Sequence, residues 1–176
     1  AFAFAASVPA PGGEKEARAQ SLTGQLLIAS SKIGDPRFAG TVIYMVSHDA
    51  SGAFGLVINR AIGSGPLNTL LKGFGIGGDE TAGPIRLHYG GPVEPSRGFV
   101  LHSSDYKSSA TTEVDNEVSI TTQLEILEAI GKGNGPRQSL FALGYAGWGA
   151  GQLEGELKRK DWVIVAADRG MIFGAN

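Results

Sequence analysis

The sequence predicts an α+β fold: one glycine-rich domain with a mixed, mostly antiparallel β-sheet or partial barrel, flanked by a few short helices. Two observations indicate this fold class. Apolar runs of strand length outnumber helical patterns and do not alternate strictly with them, as they would in a doubly wound α/β fold. Glycine supplies 27 of the 176 residues, roughly twice its usual share of about 7%. Such an excess favours tight turns and irregular strands over long helices.

The amino-terminal half contains three predicted strands and one predicted helix. The strands, rich in apolar or β-branched residues, are 25–29, 41–47 and 54–59. A short loop at 48–52 separates the last two strands, as in a hairpin. The helix begins after the Gly65-Pro66 pair, because Leu67, Leu70 and Leu71 share one face and a glycine can end it at position 73.

The carboxyl-terminal half contains most of the remaining elements. Further strands are predicted at 86–89, 98–102, 139–145 and 162–166, with a short one at 171–173. The polar segment 103–116 is a loop. Residues 122–125 match a capping box, which predicts a helix that ends in the stretch 131–136. A last helix spans 152–160.

Residues 1–20 differ in composition from the rest of the chain. They pass from Ala/Phe alternation through a Pro/Gly segment to charged residues. This pattern predicts a disordered extension before one domain at 21–176. The alternative is a remnant of a secretory signal, but the segment has no basic region before its short apolar run. At 42% hydrophobic residues, the remaining chain can form one sizeable core.

Four glycine- and aromatic-rich segments are the most distinctive part of the sequence. They are 24–38, 48–60, 90–102 and 143–154, the last reading LGYAGWGAGQLE. In order and spacing they resemble the AlgH/YqgE family of bacterial α+β proteins, from about Leu22 to Phe173. Members of this family are commonly labelled transcriptional regulators, and the resemblance implies no particular reaction, cofactor or ligand. Ser31 replaces a proline that is common in relatives, and the stop at Asn176 suggests a truncated carboxyl terminus.

Composition limits the possible functions. The chain has no cysteine, which excludes disulfides, thiolate catalysis and cysteine-ligated zinc, and which fits a cytoplasmic protein. The formal net charge of −2 provides no general attraction to nucleic acid or anionic lipid. No apolar stretch approaches the roughly 20 residues that a membrane helix needs. We therefore expect no membrane association and no cofactor, and direct nucleic-acid binding would need a local basic patch.

One glycine motif has the form of a nucleotide-binding loop. Residues 73–78, GFGIGG, match G-x-G-x-x-G, which binds a pyrophosphate when it connects a strand to a helix. Here it follows a predicted helix and leads into 79–84, DETAGP. The context favours a flexible connector.

The three histidines are candidates for acid–base chemistry. His48, His88 and His102 lack the spacing of a metal site. His48 and His102 end predicted strands, where a histidine can transfer protons or simply hydrogen-bond a turn. The structural role is the more common one.

Asn59, Arg60 and Arg97 are the leading interaction residues. A guanidinium offers a planar fork of donors for carboxylate or phosphate, so two arginines at neighbouring strand ends could bind an anion. Alternatively, they pair with local carboxylates and hold loops in place. The carboxylates considered are Asp35, Asp49 and Glu94.

Tyr145, Trp148 and Gln152 form a second group of candidates. Two aromatics beside flexible glycines could stack on a planar ligand, while the glutamine donates and accepts hydrogen bonds. The alternative is that the aromatics fill the core and Gln152 caps the next helix. Glu154 and Lys158 fit the dipole of that helix.

Two hypotheses on function follow. The first is a non-catalytic regulatory or binding protein with a groove near 59–60, 97–102 and 145–148, whose ligand is a protein, a nucleic acid or a small anion. The sequence shows no helix-turn-helix signature, so regulation through a protein partner is favoured. The second is a small-molecule hydrolase that uses His48 or His102 with Arg60 or Arg97, which requires them to converge in one pocket.

Overall fold

The computed structural model describes residues 21–77 and 83–174. Ten strands and four short helices occur in these ranges. In chain order they are β1 (Gln25–Ala29), a 3₁₀ helix (Pro36–Phe38), β2 (Val42–Asp49), β3 (Gly52–Val57), β4 (Ala61–Pro66), α1 (Leu67–Gly73), β5 (Pro84–Tyr89), β6 (Val93–Ser103), β7 (Thr111–Glu113), β8 (Val118–Thr121), α2 (Glu125–Gly131), β9 (Ser139–Gly149), α3 (Gln152–Lys158), β10 (Trp162–Ala166) and α4 (Arg169–Phe173). The extension predicted for 1–20 lies outside the described residues.

The strands form one mixed sheet in the order β10-β1-β2-β3-β9-β6-β8-β7. β5 lies off this path and pairs in parallel with β9. Every other pair, including β4 with β5, is antiparallel. The predicted hairpin between β2 and β3 is confirmed, with Asp49 opposite Gly52. β9 is the central strand, because it pairs with β3, β5 and β6.

The sheet curls into a half-barrel whose concave face forms the main core. The Tyr44 hydroxyl on β2 donates to the Asp115 carboxylate at 2.8 Å, which joins a strand of one half of the sheet to the β7–β8 turn of the other. Core side chains from β1, β2, β3, β6, β8 and β9 meet on this face, together with Ile172 and Phe173 of α4. The mostly antiparallel, partly barrel-like α+β fold predicted from the sequence is therefore confirmed.

The convex face carries two smaller cores under the other helices. Leu153 of α3 packs against Trp148 and Trp162. Leu67 and Leu71 of α1 pack with Ile126 and Leu127 of α2 around β6 and β9. The predicted apolar face of α1 is thus the face that it buries.

Several element predictions are wrong for local reasons. Residues 171–173 are helical, because the Asp168 carboxylate accepts the Met171 N–H at 2.9 Å and caps α4. The segment predicted as a loop contains β7, and β8 follows it. β8 alternates apolar and polar residues, but its four residues are too few for that pattern to predict a strand. β4 was not predicted either, because its glycines and proline hide a strand pattern.

The predicted capping box does not form. Leu124 is the N-cap of α2 and no side chain caps the helix. Glu125 is consequently the first helical residue and lies too early to act as the third residue of a box. The preceding residues continue directly from β8.

The helices that the structure describes have at most seven residues each. None of them could cross a lipid bilayer.

Candidate functional site

Three aromatic rings from adjacent strands meet on the concave face. Phe54 of β3, Phe99 of β6 and Tyr145 of β9 have ring centroids 4.8 to 5.8 Å apart. Phe99 is buried, whereas Phe54 and Tyr145 are half-buried. We call these three residues the aromatic cluster. Its tilted and edge-to-face geometry is the arrangement that aromatic quadrupoles prefer.

Arg97 lies beside the aromatic cluster. Its guanidinium carbon is 5.1 Å from the Phe99 ring centroid, within the range of a cation–π interaction. An Nη atom also donates to the Glu94 carboxylate at 3.0 Å, so the local ion pair considered from the sequence is formed. The two residues lie where the β6–β9 register shifts between Val93 and Gly98, which turns this part of β6 away from regular pairing.

Two glycines position Tyr145 by allowing two backbones to approach closely. A Cβ on Gly91 would lie 2.1 Å from the backbone carbon of Tyr145, and Gly91 has a φ of +153°. A Cβ on Gly144 would lie 2.3 Å from the Gly91 oxygen. The glycine-rich turn before β6 and the glycine/aromatic segment of β9 are therefore two sides of one backbone contact.

His48, Trp148 and Gln152 lie instead around α3, on the convex face. His48 Nδ1 accepts the Leu22 N–H at 3.1 Å, so Nε2 carries the proton and donates to Glu154 at 2.8 Å. This hydrogen bond lowers the pKa of the Glu154 carboxyl below its ordinary value. Both ring nitrogens of His48 are therefore used in holding the chain near Leu22 and α3 together.

A single carboxylate oxygen joins the two tryptophans. Glu156 Oε2 accepts the indole N–H of Trp148 at 2.9 Å and that of Trp162 at 2.7 Å. The Gln152 side-chain oxygen accepts the Gly149 N–H at 3.1 Å, which stabilises the turn into α3. Trp148 is 7% exposed, so the core role considered for it from the sequence is the one that the structure shows.

Tyr145 and Trp148 do not form a stacking pair. Successive side chains of a strand point to opposite faces, and β9 continues through both residues. Tyr145 contacts the concave core, and Trp148 contacts the convex core. The groove expected to contain both is therefore divided by the sheet itself.

Asn59 and Arg60 hold the loop after β1. Asn59 accepts the Val42 N–H and donates to the Gly40 carbonyl, both at 2.9 Å. The Arg60 guanidinium donates to the carbonyls of Arg37 and Ala39 at 2.8 and 2.7 Å. Arg60 thus binds carbonyl oxygens, whereas the sequence suggested a carboxylate or a ligand anion.

His102 lies on β6, and its side chain is fully buried beside the neighbouring strand β8. Its Nδ1 donates to the Ser103 carbonyl at 2.9 Å, so Nε2 accepts the Thr121 hydroxyl at 2.9 Å. Burial lowers the pKa of the imidazole. A buried ring with both nitrogens bonded acts as a structural residue of the sheet.

Two surface clefts were not predicted from the sequence. A cleft of 440 Å³ lies between the β4–β5 hairpin and α1, and one of 190 Å³ lies between Gly98 and the start of α2, with Phe74 bordering both.

The GFGIGG motif begins with Gly73 and Phe74, which end the helix α1. This position opposes the nucleotide-binding interpretation, which requires the motif to connect a strand to a helix. The last glycine of the motif lies outside the described residues. Within 21–77 and 83–174, His, Asp and Glu form no group that could hold a metal ion.

Comparison with known proteins identifies the family. The model of the family described as AlgH-like (DUF179) matches residues 26–176. This chain belongs to the AlgH-like family. A UPF0301 protein of Rhodospirillum rubrum is 49% identical over 152 residues, covering 86% of this chain and 79% of the relative. One from Methylococcus capsulatus is 48% identical over 151 residues, covering 86% and 82%.

Solved structures agree with this AlgH-like assignment. The solution structure of AlgH from Pseudomonas aeruginosa has a TM-score of 0.73 and 40% identity, covering 94% of this chain and 84% of that one. A protein of Corynebacterium diphtheriae has a TM-score of 0.66 at 18% identity, covering 85% and 78%. The second likeness concerns the fold alone. The resemblance noted in the sequence is confirmed.

Proposed function

We propose that this AlgH-like chain is a non-catalytic binding protein of the cytoplasm that contributes to transcriptional regulation through a protein partner. The observation that carries the proposal is the position of Arg97 over the aromatic cluster, two of whose rings are half-buried and so partly accessible. Arginine and aromatic side chains are enriched where protein interfaces gain most of their binding energy. A partner segment with an apolar side chain beside a carboxylate fits this surface.

The hydrolase hypothesis loses support at both of its histidines and at Arg60. His48 and His102 each use both ring nitrogens in internal hydrogen bonds. Arg60 directs its donors to backbone carbonyls. A general base needs a lone pair within reach of its substrate, and these contacts occupy the lone pairs of both imidazoles.

A genetic complementation experiment tests the regulatory role of the surface. Transcript levels are compared in a deletion strain of the source bacterium that expresses the wild type, Arg97→Ala or Arg137→Ala. Arg137 is the matched control, because it also pairs with a carboxylate and its side chain is 81% exposed. We expect the wild type and Arg137→Ala to restore the transcripts and Arg97→Ala to fail while folding normally. Full restoration by Arg97→Ala would overturn the proposal.

A binding experiment separates a protein partner from direct contact with nucleic acid. Fluorescence anisotropy is measured with labelled duplex and single-stranded DNA and RNA across a salt titration. We expect binding no tighter than the nonspecific range of about 10⁻⁴ to 10⁻⁶ M at physiological salt. Tighter, strongly salt-dependent binding that Arg97→Ala removes would replace the protein partner with nucleic acid. A small anion remains the alternative ligand, which calorimetric titration with inorganic phosphate and with citrate tests directly.

A further inference from the structure

Residues 94–97 of β6, Glu-Pro-Ser-Arg, form a bulge beside the aromatic cluster. Val93 pairs with Tyr145 and Gly98 with Leu143, so four residues of β6 stand opposite one residue of β9. Bulges redirect side chains and are frequent next to functional sites. This bulge brings the carboxylate of its first residue to the guanidinium of its last, at 3.0 Å.

Glu94, the first residue of the bulge, has a left-handed backbone with a φ of +46°. In the part of the chain that the structure describes, eight glycines have a positive φ, and the one other non-glycine residue that does is Lys160. Lys160 lies just after α3, where a left-handed residue commonly ends a helix. Glu94 instead lies within a strand and precedes a proline, which restricts its backbone further. Glycine would form the same turn without this strain.

The ion pair between Glu94 and Arg97 does not account for the strain through stability. Both side chains are partly exposed, at 38% and 25% respectively, and ion pairs between exposed side chains contribute little to folding. A left-handed conformation of a residue other than glycine costs at least as much as such a pair contributes. Strained residues of this kind are concentrated at ligand clamps and switch regions. Fold stability therefore leaves the glutamate at this position unexplained.

We infer that the Glu94 carboxylate occupies the position in which Arg97 binds a carboxylate of the partner, and that the partner's carboxylate displaces it. This inference rests on the proposed partner-binding function of the same surface. The exchange replaces one carboxylate–guanidinium hydrogen bond with another, and a pair between exposed side chains is weak enough to be replaced. The aromatic rings beside Arg97 then contact the apolar group next to the incoming carboxylate.

The internal contact also defines the class of ligand. Arg97 binds a carboxylate of its own chain, and a ligand of the same chemistry reproduces that contact. After displacement the Glu94 charge stays in the exposed bulge, where it repels a phosphate dianion more strongly than a carboxylate monoanion. Val93, which precedes the bulge, adds an apolar side chain that is 37% exposed. The surface therefore fits a carboxylate beside an apolar or aromatic group.

NMR chemical-shift titration tests the exchange with a probe of this chemistry, 3-phenylpropionate. The matched control is Asp35→Asn, because Asp35 also pairs with an arginine, Arg37, at the surface. We expect Glu94→Gln to bind the probe about two- to fivefold more tightly than the wild type, the factor that an exposed ion pair is worth. Asp35→Asn should bind it like the wild type, and Arg97→Gln much more weakly. The shifted resonances should belong to the bulge and the aromatic cluster.

Three results of this titration would overturn the inference. They are equal affinity in the wild type and Glu94→Gln, absence of binding to both, and shifts that lie away from the bulge and the aromatic cluster. Two further probes test the charge. The neutral amide, 3-phenylpropanamide, should bind the wild type and Glu94→Gln equally weakly. Inorganic phosphate should bind more weakly than 3-phenylpropionate, and tighter phosphate binding would contradict a carboxylate ligand.

Melting temperatures test the strain independently of any ligand. Glu94→Gly and Glu94→Ala both remove the carboxylate, but only glycine relieves the left-handed backbone. We expect Glu94→Gly to melt about 2–4 °C above Glu94→Ala, and both variants to bind 3-phenylpropionate more tightly than the wild type. A lower melting temperature for Glu94→Gly would show that residue 94 is not strained and would overturn the inference.

The probe and transcript experiments together separate this inference from the proposed function. Unchanged probe affinity in Glu94→Gln, with loss of transcripts in Arg97→Ala, would refute the exchange and leave the regulatory role. Tighter probe binding in Glu94→Gln, with full restoration of transcripts by Arg97→Ala, would refute the regulatory role and leave the carboxylate site.

Discussion

His48 donates a hydrogen bond from Nε2 to the Glu154 carboxylate at 2.8 Å and thereby joins β2 to α3 across 106 residues of sequence. The histidine side chain is 8% exposed and the glutamate side chain 44%. This contact converts a candidate catalytic histidine into a structural link, and it makes the stability of the protein depend on pH.

Replacement of Glu154 by glutamine tests that dependence. The pKa of the carboxyl is lowered in the folded protein, chiefly by the hydrogen bond from His48. A lowered pKa gives stability that is present above the unfolded pKa and is lost as the pH falls through the folded pKa. We expect the stability difference between wild type and Glu154→Gln to be full at neutral pH, to decline below the ordinary carboxyl value of 4.5, and to be lost only once the pH has fallen through the lowered pKa of the folded state. Urea unfolding at a series of pH values measures it, and a constant difference would contradict this account.

Glu156 should be important for stability, because one of its oxygens accepts both tryptophan indoles. Each buried N–H that loses its acceptor costs about 1–3 kcal/mol. We expect Glu156→Ala to lower the free energy of unfolding by about 2–4 kcal/mol and Glu156→Gln, which keeps an acceptor oxygen, to cost less. Urea denaturation followed by tryptophan fluorescence gives both values. Equal effects of the two variants would count against the shared acceptor.

His102 should remain neutral in the folded protein at pH values just below its ordinary pKa. Burial lowers the pKa of the ring, so the unfolded chain binds a proton more readily and stability decreases as the pH falls below about 6.5. NMR titration of the imidazole nitrogens should show a proton on Nδ1 and no titration near neutral pH. The slope of stability against pH in this range should be smaller for His102→Gln. Normal titration of the wild-type ring would refute the assignment.

Gly91 should tolerate no side chain. An added Cβ would lie 2.1 Å from the Tyr145 backbone carbon, at a φ that disfavours other residues. We expect Gly91→Ala to destabilise the protein by about 2–4 kcal/mol. Gly63→Ala is the matched control, because a Cβ there meets nothing within 4 Å. Thermal unfolding of both variants checks the difference, and similar melting temperatures would contradict the close approach of the two strands.

Local patterns were sufficient to predict much of the fold. Strand-length apolar runs predicted β1 and β10 with the residue ranges that the structure has. The hairpin of β2 and β3 and the apolar face of α1 also follow from short-range spacing. β8 and α4 could not be predicted in this way, because the first is stabilised by pairing with distant β6 and the second by a side-chain cap in a short segment.

The sequence by itself determined the α+β class, the family and the residue types that could interact. Only the tertiary structure decided how these residues are grouped. Phe99 and Tyr145 meet in the aromatic cluster because β6 and β9 are neighbours, whereas Trp148 faces the opposite core because side chains alternate along β9. Glu154, which binds His48, and Thr121, which binds His102, both belong to other elements. Pairings between distant segments depend on how the sheet curls, and no local pattern encodes that curvature residue by residue.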